Sequence, residues 1–223
     1  MPGLSRRERP AKPALTREGI VDAAVRLMAS DGLQRVTMRR LAQELDTGPA
    51  SLYVYVANTY ELHAAILDRL LAQVDLSPAK RTDDWREALH QVLGSYTDLL
   101  LAHPSLAHSA LNTRPNGPNY LALVDTLLAL MAAGGVPAGQ AAWGLDLLLQ
   151  TATATAAEHS QREGADPEAE WQLLNEALET ASPEQFPYVH GQAADLVSGT
   201  PAQRRRWAVD MLLNGITATS RPQ

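Results

Sequence analysis

Residues 47–55 read TGPASLYVY, and this stretch decides the fold of the chain. The run Tyr53–Tyr55 consists of residues that favour β-strands, but Gly48-Pro49 just before it is typical of a turn that leads into a helix. A strand here would have no partner for its backbone groups, because no other part of the sequence alternates polar and apolar residues. We therefore predict a short helix, in which Leu52 and Val56 face inward and the residues between them face outward.

The sequence before this stretch predicts two further helices. Apolar residues recur at helical spacing over residues 20–28, after Thr16 as an N-cap and before Gly32 as the exit. A second helix of about two turns follows Thr37. Two short helices joined by a Gly-containing turn form a helix-turn-helix, whose second helix enters the major groove of DNA. Residues 49–56 are thus predicted to be a recognition helix.

Helical periodicity continues to the end of the chain, so the predicted fold class is all-α. Proline and glycine separate the helices, which are predicted over residues 58–74, 83–102, 105–112, 117–133, 138–163, 167–180 and 201–219. We divide the chain into a flexible basic arm (residues 1–15), a three-helix head (residues 16–61) and a larger helical body (residues 62–223).

The composition narrows the class of protein. The 223 residues include no cysteine, which excludes disulfides and thiolate metal sites. Residues 1–56 carry nine basic and six acidic side chains, a balance of +3, whereas the remainder carries ten and nineteen, a balance of −9. This asymmetry predicts a polyanionic partner for the head, chance being the alternative. Residues 1–15 lack the apolar segment of a signal peptide, so we expect a soluble, cytoplasmic protein without a membrane partner.

The histidines do not form a catalytic pattern. His103 and His108 flank Ser105 with Asp98 nearby, but a spacing of five does not align two metal ligands on a helix. No nucleophile elbow or glycine-rich phosphate loop accompanies them. We expect no enzyme, no cofactor and no metal site.

The run from Arg17 to Leu67, REGIVDAAVRLMASDGLQRVTMRRLAQELDTGPASLYVYVANTYELHAAIL, resembles the DNA-binding domain of the TetR family of bacterial repressors. The likeness includes the Asp-Gly exit of the first helix, the T-x-R-x-L-A second helix and the L-Y-x-x-V element. The body resembles tetracycline repressors through Trp85, the run LLLAHPSLAHSALNTRP at residues 99–115, and Glu158-His159.

The resemblance implies DNA contacts residue by residue. It implies that Thr37 caps the second helix and touches a phosphate, that Arg39 reaches a guanine edge, and that Tyr53 contacts a phosphate. Thr59 lies where the family usually has a phosphate-binding Lys. The predicted DNA-binding set is Thr37, Arg39, Pro49, Ala50, Ser51, Tyr53, Val54, Tyr55 and Thr59. For residues 1–15 a disordered arm is expected rather than a minor-groove reader.

The resemblance also implies a homodimer on a palindromic operator, from which a small-molecule effector releases it. The predicted dimer interface is Leu145, Leu149, Ala152, Ala156, Trp207, Met211, Leu212 and Ile216, and packing within one chain is the alternative. The Arg204–Arg206 run is expected to be a solvated face or an ion-pairing patch at the interface.

The resemblance places the tetracycline-contacting positions on Asp75, Val92, Tyr96, Ala110 and Thr113. The metal-binding His is replaced by Ala110 and a drug-binding Asn by Val92, so we expect no magnesium–tetracycline binding.

The predicted effector pocket is mostly apolar and suits a small lipophilic ligand, core packing being the alternative. Its residues are Val92, Leu93, Tyr96, Leu111, Thr113, Leu123, Leu127, Met131, Leu148 and Thr151. Two other functions stay open: a regulator that needs no effector or needs a co-repressor, and an interaction module that has lost DNA binding.

Overall fold

The computed structural model describes residues 14–81, 83–161 and 167–222. These residues form α-helices and no strand, which confirms the all-α prediction. Residues 1–13 of the predicted arm lie outside the described residues. The helices are α1 Arg17–Asp31, α2 Met38–Glu44, α3 Pro49–Leu52, α4 Thr59–Leu71, α5 Pro78–Arg81, α6 Trp85–Leu101, α7 Pro104–Ala110, α8 Pro118–Ala133, α9 Ala138–Gln161, α10 Pro167–Glu179, α11 Pro187–Val197 and α12 Pro201–Ala218.

The head is a three-helix unit with capped helices and an apolar centre. Thr16 Oγ1 accepts a hydrogen bond from Gly19 N at 3.0 Å, and Thr37 Oγ1 accepts one from Arg40 N at 3.2 Å, so each threonine satisfies a free N–H in a first turn. Ile20 and Leu41 are fully buried between the helices. The two caps therefore fix where α1 and α2 begin.

The recognition helix is shorter than the sequence predicts. Helix α3 ends at Leu52, and residues 53–55 continue as turns before Val56 returns to the core. Aromatic and β-branched residues lose side-chain freedom in a helix, which explains why the Tyr-Val-Tyr run does not extend it. The inward positions of Leu52 and Val56, both fully buried, agree with the predicted register.

Helix α4 joins the head to the body. Asn58 caps it, with Oδ1 accepting from Glu61 N at 2.9 Å. The helix packs on α1 of the head and on α6, α7 and α8 of the body. It therefore runs across the predicted boundary between residues 61 and 62. One of its surfaces packs on the head and another packs on the body.

The body is built around α6, α8 and α9, with α12 packed against α9. Gly144 allows that packing, because a Cβ there would lie 2.5 Å from Ile216 Cδ1. Helices α10 and α11 pack mainly on each other. The sequence did not predict α11, since Pro187 was interpreted as a break although it occupies the first turn of this helix. Among the described residues, no helix is both long and apolar enough to cross a bilayer.

Candidate DNA-binding surface and ligand cavities

The residues around α3 form an exposed surface at the edge of the head. Pro49, Ala50 and Ser51 are exposed, and Tyr53 and Val54 are 52% and 78% exposed. Adjacent exposed apolar side chains of this kind favour a surface that contacts another molecule. Thr59, at the start of α4, is exposed as well.

Tyr55 differs from its neighbours. It is only half-buried and packs against the apolar core of the head. Its backbone N–H donates to Leu52 O at 2.9 Å, which holds the turn after α3. Part of this ring therefore stabilises the head, and only the remainder is available for contact.

Arg39 and Arg40 lie next to each other in α2 but have different surroundings. Arg40 forms an ion pair with Asp31 at 3.5 Å. Arg39 is exposed and has no ion pair or hydrogen bond of its side chain among the described residues. The guanidinium of Arg39 is therefore accessible to an external acceptor, and its contact with a guanine edge stays a prediction.

One cavity of about 360 Å³ lies where α4, α6, α7, α8 and α9 meet, and we call it the α7 cavity. Tyr96 OH lies 2.7 Å from Thr153 Oγ1 on its wall. Burial raises the pKa of Tyr96, so its phenol stays neutral at physiological pH. Thr113 is 7% exposed, and its Oγ1 is buried without a hydrogen-bond partner in the part of the chain that the structure describes. A buried hydroxyl group without a partner favours a ligand that forms a hydrogen bond with it.

The sequence missed three polar residues of the α7 cavity. Arg114 lies 3.6 Å from Asp146, and Gln150 donates a hydrogen bond to the same carboxylate. Asp146 and Gln150 lie four residues apart on α9, so they share one face of that helix. Two polar residues at that spacing within the otherwise apolar run of residues 141–150 were the signal available in the sequence.

A second cavity of about 300 Å³ lies between α6, α9 and α12, and we call it the α12 cavity. Leu93, Gly94, Leu148 and Val209 supply much of its apolar wall. His90 lies at this cavity too, with Nε2 at 2.8 Å from Asp210 Oδ1.

The predicted pocket residues fall into three groups. Tyr96, Leu111 and Thr113 line the α7 cavity, whereas Leu93, Leu148 and Thr151 line the α12 cavity. The other predicted residues are fully buried core and line neither cavity, since α6 and α8 bring them together in the centre of the body: Val92, Leu123, Leu127 and Met131.

The tetracycline-type metal site does not fit this chain. Ala110, on the wall of the α7 cavity, has no ligand atom, and Val92 is fully buried and apolar. No group of three or more His, Cys, Asp or Glu in the described part of the chain is placed to hold a metal ion.

The predicted dimer residues divide between core and surface. Four of them are buried within the single chain, because α9 turns that face towards α6, α7 and α12: Leu145, Leu149, Ala152 and Ala156. Ile216 is also buried, and Leu212 is partly buried. Trp207 and Met211 are 68% and 50% exposed. Trp143 and Leu147, which are not among the predicted interface residues, are 55% and 50% exposed.

An exposed recognition element beside a free arginine, on a helical body with internal cavities, defines a helix-turn-helix regulator. The family model described as bacterial regulatory proteins, tetR family, matches residues 20–66, and the model described as tetracyclin repressor-like, C-terminal domain, matches residues 77–219. The chain belongs to the TetR family, which confirms the resemblance seen in its sequence. Members of this family are transcriptional regulators and not enzymes, as predicted.

Individual relatives agree with this assignment. A candidate transcription regulator of Streptomyces coelicolor is 55% identical, with a TM-score of 0.81 over 95% of this chain and 99% of that one. The TetR family protein ActR of Streptomyces coelicolor, in complex with actinorhodin, is 32% identical with a TM-score of 0.79, over 92% and 97%. An HTH-type transcriptional regulator of Saccharopolyspora erythraea is 37% identical over 56% of this chain and 52% of that protein. The chain spans about half the length of the first curated relatives it matches.

Proposed function

We propose that this chain is a cytoplasmic repressor that binds a palindromic DNA operator as a homodimer and leaves it when a small molecule occupies the α7 cavity. One observation carries the proposal: the cavity is walled partly by Leu67 of α4, the helix that also packs on the head. A ligand in the body therefore touches the element that positions the DNA-binding surface. The division into head and body stays part of this proposal, with α4 shared between them.

The DNA contacts are proposed to come from the exposed residues of α2 and α3. Arg39 donates to a guanine edge, and Ala50 and Val54 pack against thymine methyl groups. Tyr53 and Thr37 contact phosphates, which set the register on the duplex. Thr59 offers a neutral hydroxyl where the family usually has Lys. Because few cations neutralise phosphates, the affinity should fall only modestly with salt.

Asp68 of α4 is proposed to carry the coupling. Its Oδ1 accepts a hydrogen bond from Tyr120 N at 2.8 Å, and its Oδ2 accepts one from Asn119 Nδ2 at 3.2 Å. Both donors lie at the start of α8, and Tyr120 also lines the α7 cavity. A ligand that moves Tyr120 would thereby move α4, which alters the spacing of the two recognition helices. That spacing must match half-sites about 34 Å apart.

The lining of the α7 cavity suggests the class of effector. Thr113 and Tyr96 offer hydroxyl groups, and the Arg114–Asp146 pair adds charge at the wall. We propose a largely apolar molecule with a few hydroxyl or carbonyl groups, which is more polar than the lipophilic ligand expected from the sequence. ActR, which is 32% identical to this chain, is known in complex with actinorhodin, and that complex supports the proposal of a small-molecule effector here.

The dimer interface is proposed to be the exposed apolar face of α9 and α12, formed by Trp143, Leu147, Trp207 and Met211. Large apolar side chains that lie together in the open mark an association surface. The predicted residues Leu212 and Ile216 lie beneath this face and support it.

The test is selection of binding sequences from a random duplex pool by the purified protein. An enriched inverted repeat is expected. Absence of enrichment at low salt would contradict operator recognition and favour an interaction module. If an inverted repeat is enriched but no apolar molecule releases the protein from it, the regulator either needs no effector or depends on a co-repressor.

A further inference from the structure

The three consecutive arginines at the start of α12 have three different situations. Arg204 donates from Nε to Ser198 O at 2.8 Å and from a terminal nitrogen to Leu196 O at 2.6 Å, so it caps the end of α11. Arg206 pairs with Glu87 Oε2 at 2.8 Å. Arg205 lies between them, is partly buried, and has no ion pair or side-chain hydrogen bond among the described residues.

Arg205 lines the α12 cavity, whose wall is otherwise largely apolar. A guanidinium that is partly removed from water without a counter-charge destabilises the folded chain. An anion inside the cavity would remove that cost. The surrounding acids are already engaged, because Glu87 binds Arg206 and Asp210 binds His90 at 2.8 Å. As far as the structure describes the chain, Arg205 is thus the cation of the cavity wall that has no ion pair or side-chain hydrogen bond.

The α12 cavity is also separate from the proposed effector site. Residues Leu148, Thr151 and Ala152 of α9 face the α12 cavity, whereas Leu149 and Gln150 face the α7 cavity. Opposite faces of one helix therefore serve two cavities, and a ligand in one would not occupy the other.

We propose that the α12 cavity binds a small organic carboxylate with an apolar body. The body packs against Leu93, Leu148 and Val209, and the carboxylate forms two parallel hydrogen bonds with the guanidinium of Arg205. A cavity of about 300 Å³ admits a molecule of two fused rings or a medium acyl chain. This site does not depend on operator binding and can be tested without DNA.

Gly94 offers a direct way to block the site. It lies in α6 on the cavity wall, and a Cβ at this position would meet no atom within 4 Å. A Gly94→Leu side chain would therefore extend into empty space and fill the cavity. Replacing glycine within a helix also favours folding, so this variant should remain stable.

The experiment is calorimetric titration of the full-length protein with 2-naphthoate and, as its uncharged counterpart, 2-naphthamide. Naphthoate should bind at least tenfold more tightly than the amide. Arg205→Gln should remove that preference, and Arg205→Lys should restore part of it, because lysine keeps the charge but not the fork geometry. Gly94→Leu should abolish binding of both probes.

Two results would overturn the proposal. One is that neither naphthoate nor decanoate, an acyl alternative, binds at millimolar concentration. The other is that binding is unchanged in Gly94→Leu while Thr113→Val weakens it, which would assign the carboxylate to the α7 cavity. Circular dichroism of each variant establishes that the helices are intact.

Discussion

Arg39 and Arg40 are neighbours in α2, yet their different positions on the helix surface decide which guanidinium forms an ion pair within the head. Arg40 forms an ion pair with Asp31 within the head, whereas Arg39 is exposed and its donors have no partner among the residues described. A guanidinium with free donors can bind two acceptors of a guanine edge at once, which the paired one can do only after breaking its own contact.

Replacing Arg39 with alanine should weaken operator binding by about 1–3 kcal/mol and relax the base preference at one position of each half-site. Fluorescence anisotropy on the selected operator measures the affinity, and single-base variants measure the preference.

Arg81→Ala is the matched control, because it removes the same charge from α5 in the body. If Arg39→Ala and Arg81→Ala lower the affinity equally, Arg39 acts only through net charge and the assigned base contact is wrong.

His63 of α4 gives a second prediction at the scale of a residue. Its Nδ1 lies 3.0 Å from Ser109 Oγ, and its Nε2 is buried with no hydrogen-bond partner within the described ranges. Burial lowers the pKa of His63 below 6.5, so the folded chain favours the neutral ring. As the pH falls through 6.5, the unfolded chain takes up the proton first, and the folded state loses stability.

His63→Asn removes this titration and keeps a polar group near Ser109. Urea unfolding at pH 7.5 and pH 5.5, at one protein concentration, should show the wild type losing more stability on acidification than the variant. An identical loss in both proteins would show that His63 is not the group responsible.

At the scale of elements, the contact between α4 and α8 requires a glycine at position 117. Gly117 precedes α8, and a Cβ there would lie 2.2 Å from Asp68 Oδ2. Gly117→Ala would therefore displace the carboxylate that accepts from Tyr120 N and Asn119 Nδ2.

Gly117→Ala should reduce the free energy of unfolding by about 1–3 kcal/mol, since two partly buried donors lose their acceptor. It should also narrow the difference in operator affinity between free and effector-bound protein. Gly191→Ala in α11 is the control, because its Cβ would meet open space. If the variant is destabilised but keeps the full effector response, Asp68 does not couple the effector cavity to DNA binding.

The sequence predicted elements well where the signals are local. The caps Thr16 and Thr37 act through bonds to residues three positions away, so both are readable from sequence. Periodicity also gives the apolar face of α9. It does not say whether that face meets the same chain or a second copy, which is why Leu145 and Ala156 were assigned to the interface and lie in the core. Nor does it show that one helix borders two cavities.

At the scale of the whole molecule, the proposed binding to a palindromic operator requires two protomers. Trp207→Glu with Met211→Glu places two charges on the proposed interface, where apolar burial of two such side chains contributes about 3 kcal/mol or more. The dimer should dissociate at micromolar concentration in sedimentation equilibrium, and operator affinity should fall with it.

Leu121→Glu on α8, which is 59% exposed, is the control for adding an acidic residue to an apolar surface position. A double variant that stays dimeric would move the interface elsewhere on the body.

The most direct measurement is the mass of the complex on the selected operator, by native mass spectrometry, together with the affinity for a single half-site. Operator binding by a dimer predicts two protomers per inverted repeat, and an affinity for the half-site that falls towards that for random duplex. One protomer per repeat, or equal affinity for the operator and for random DNA, would contradict it.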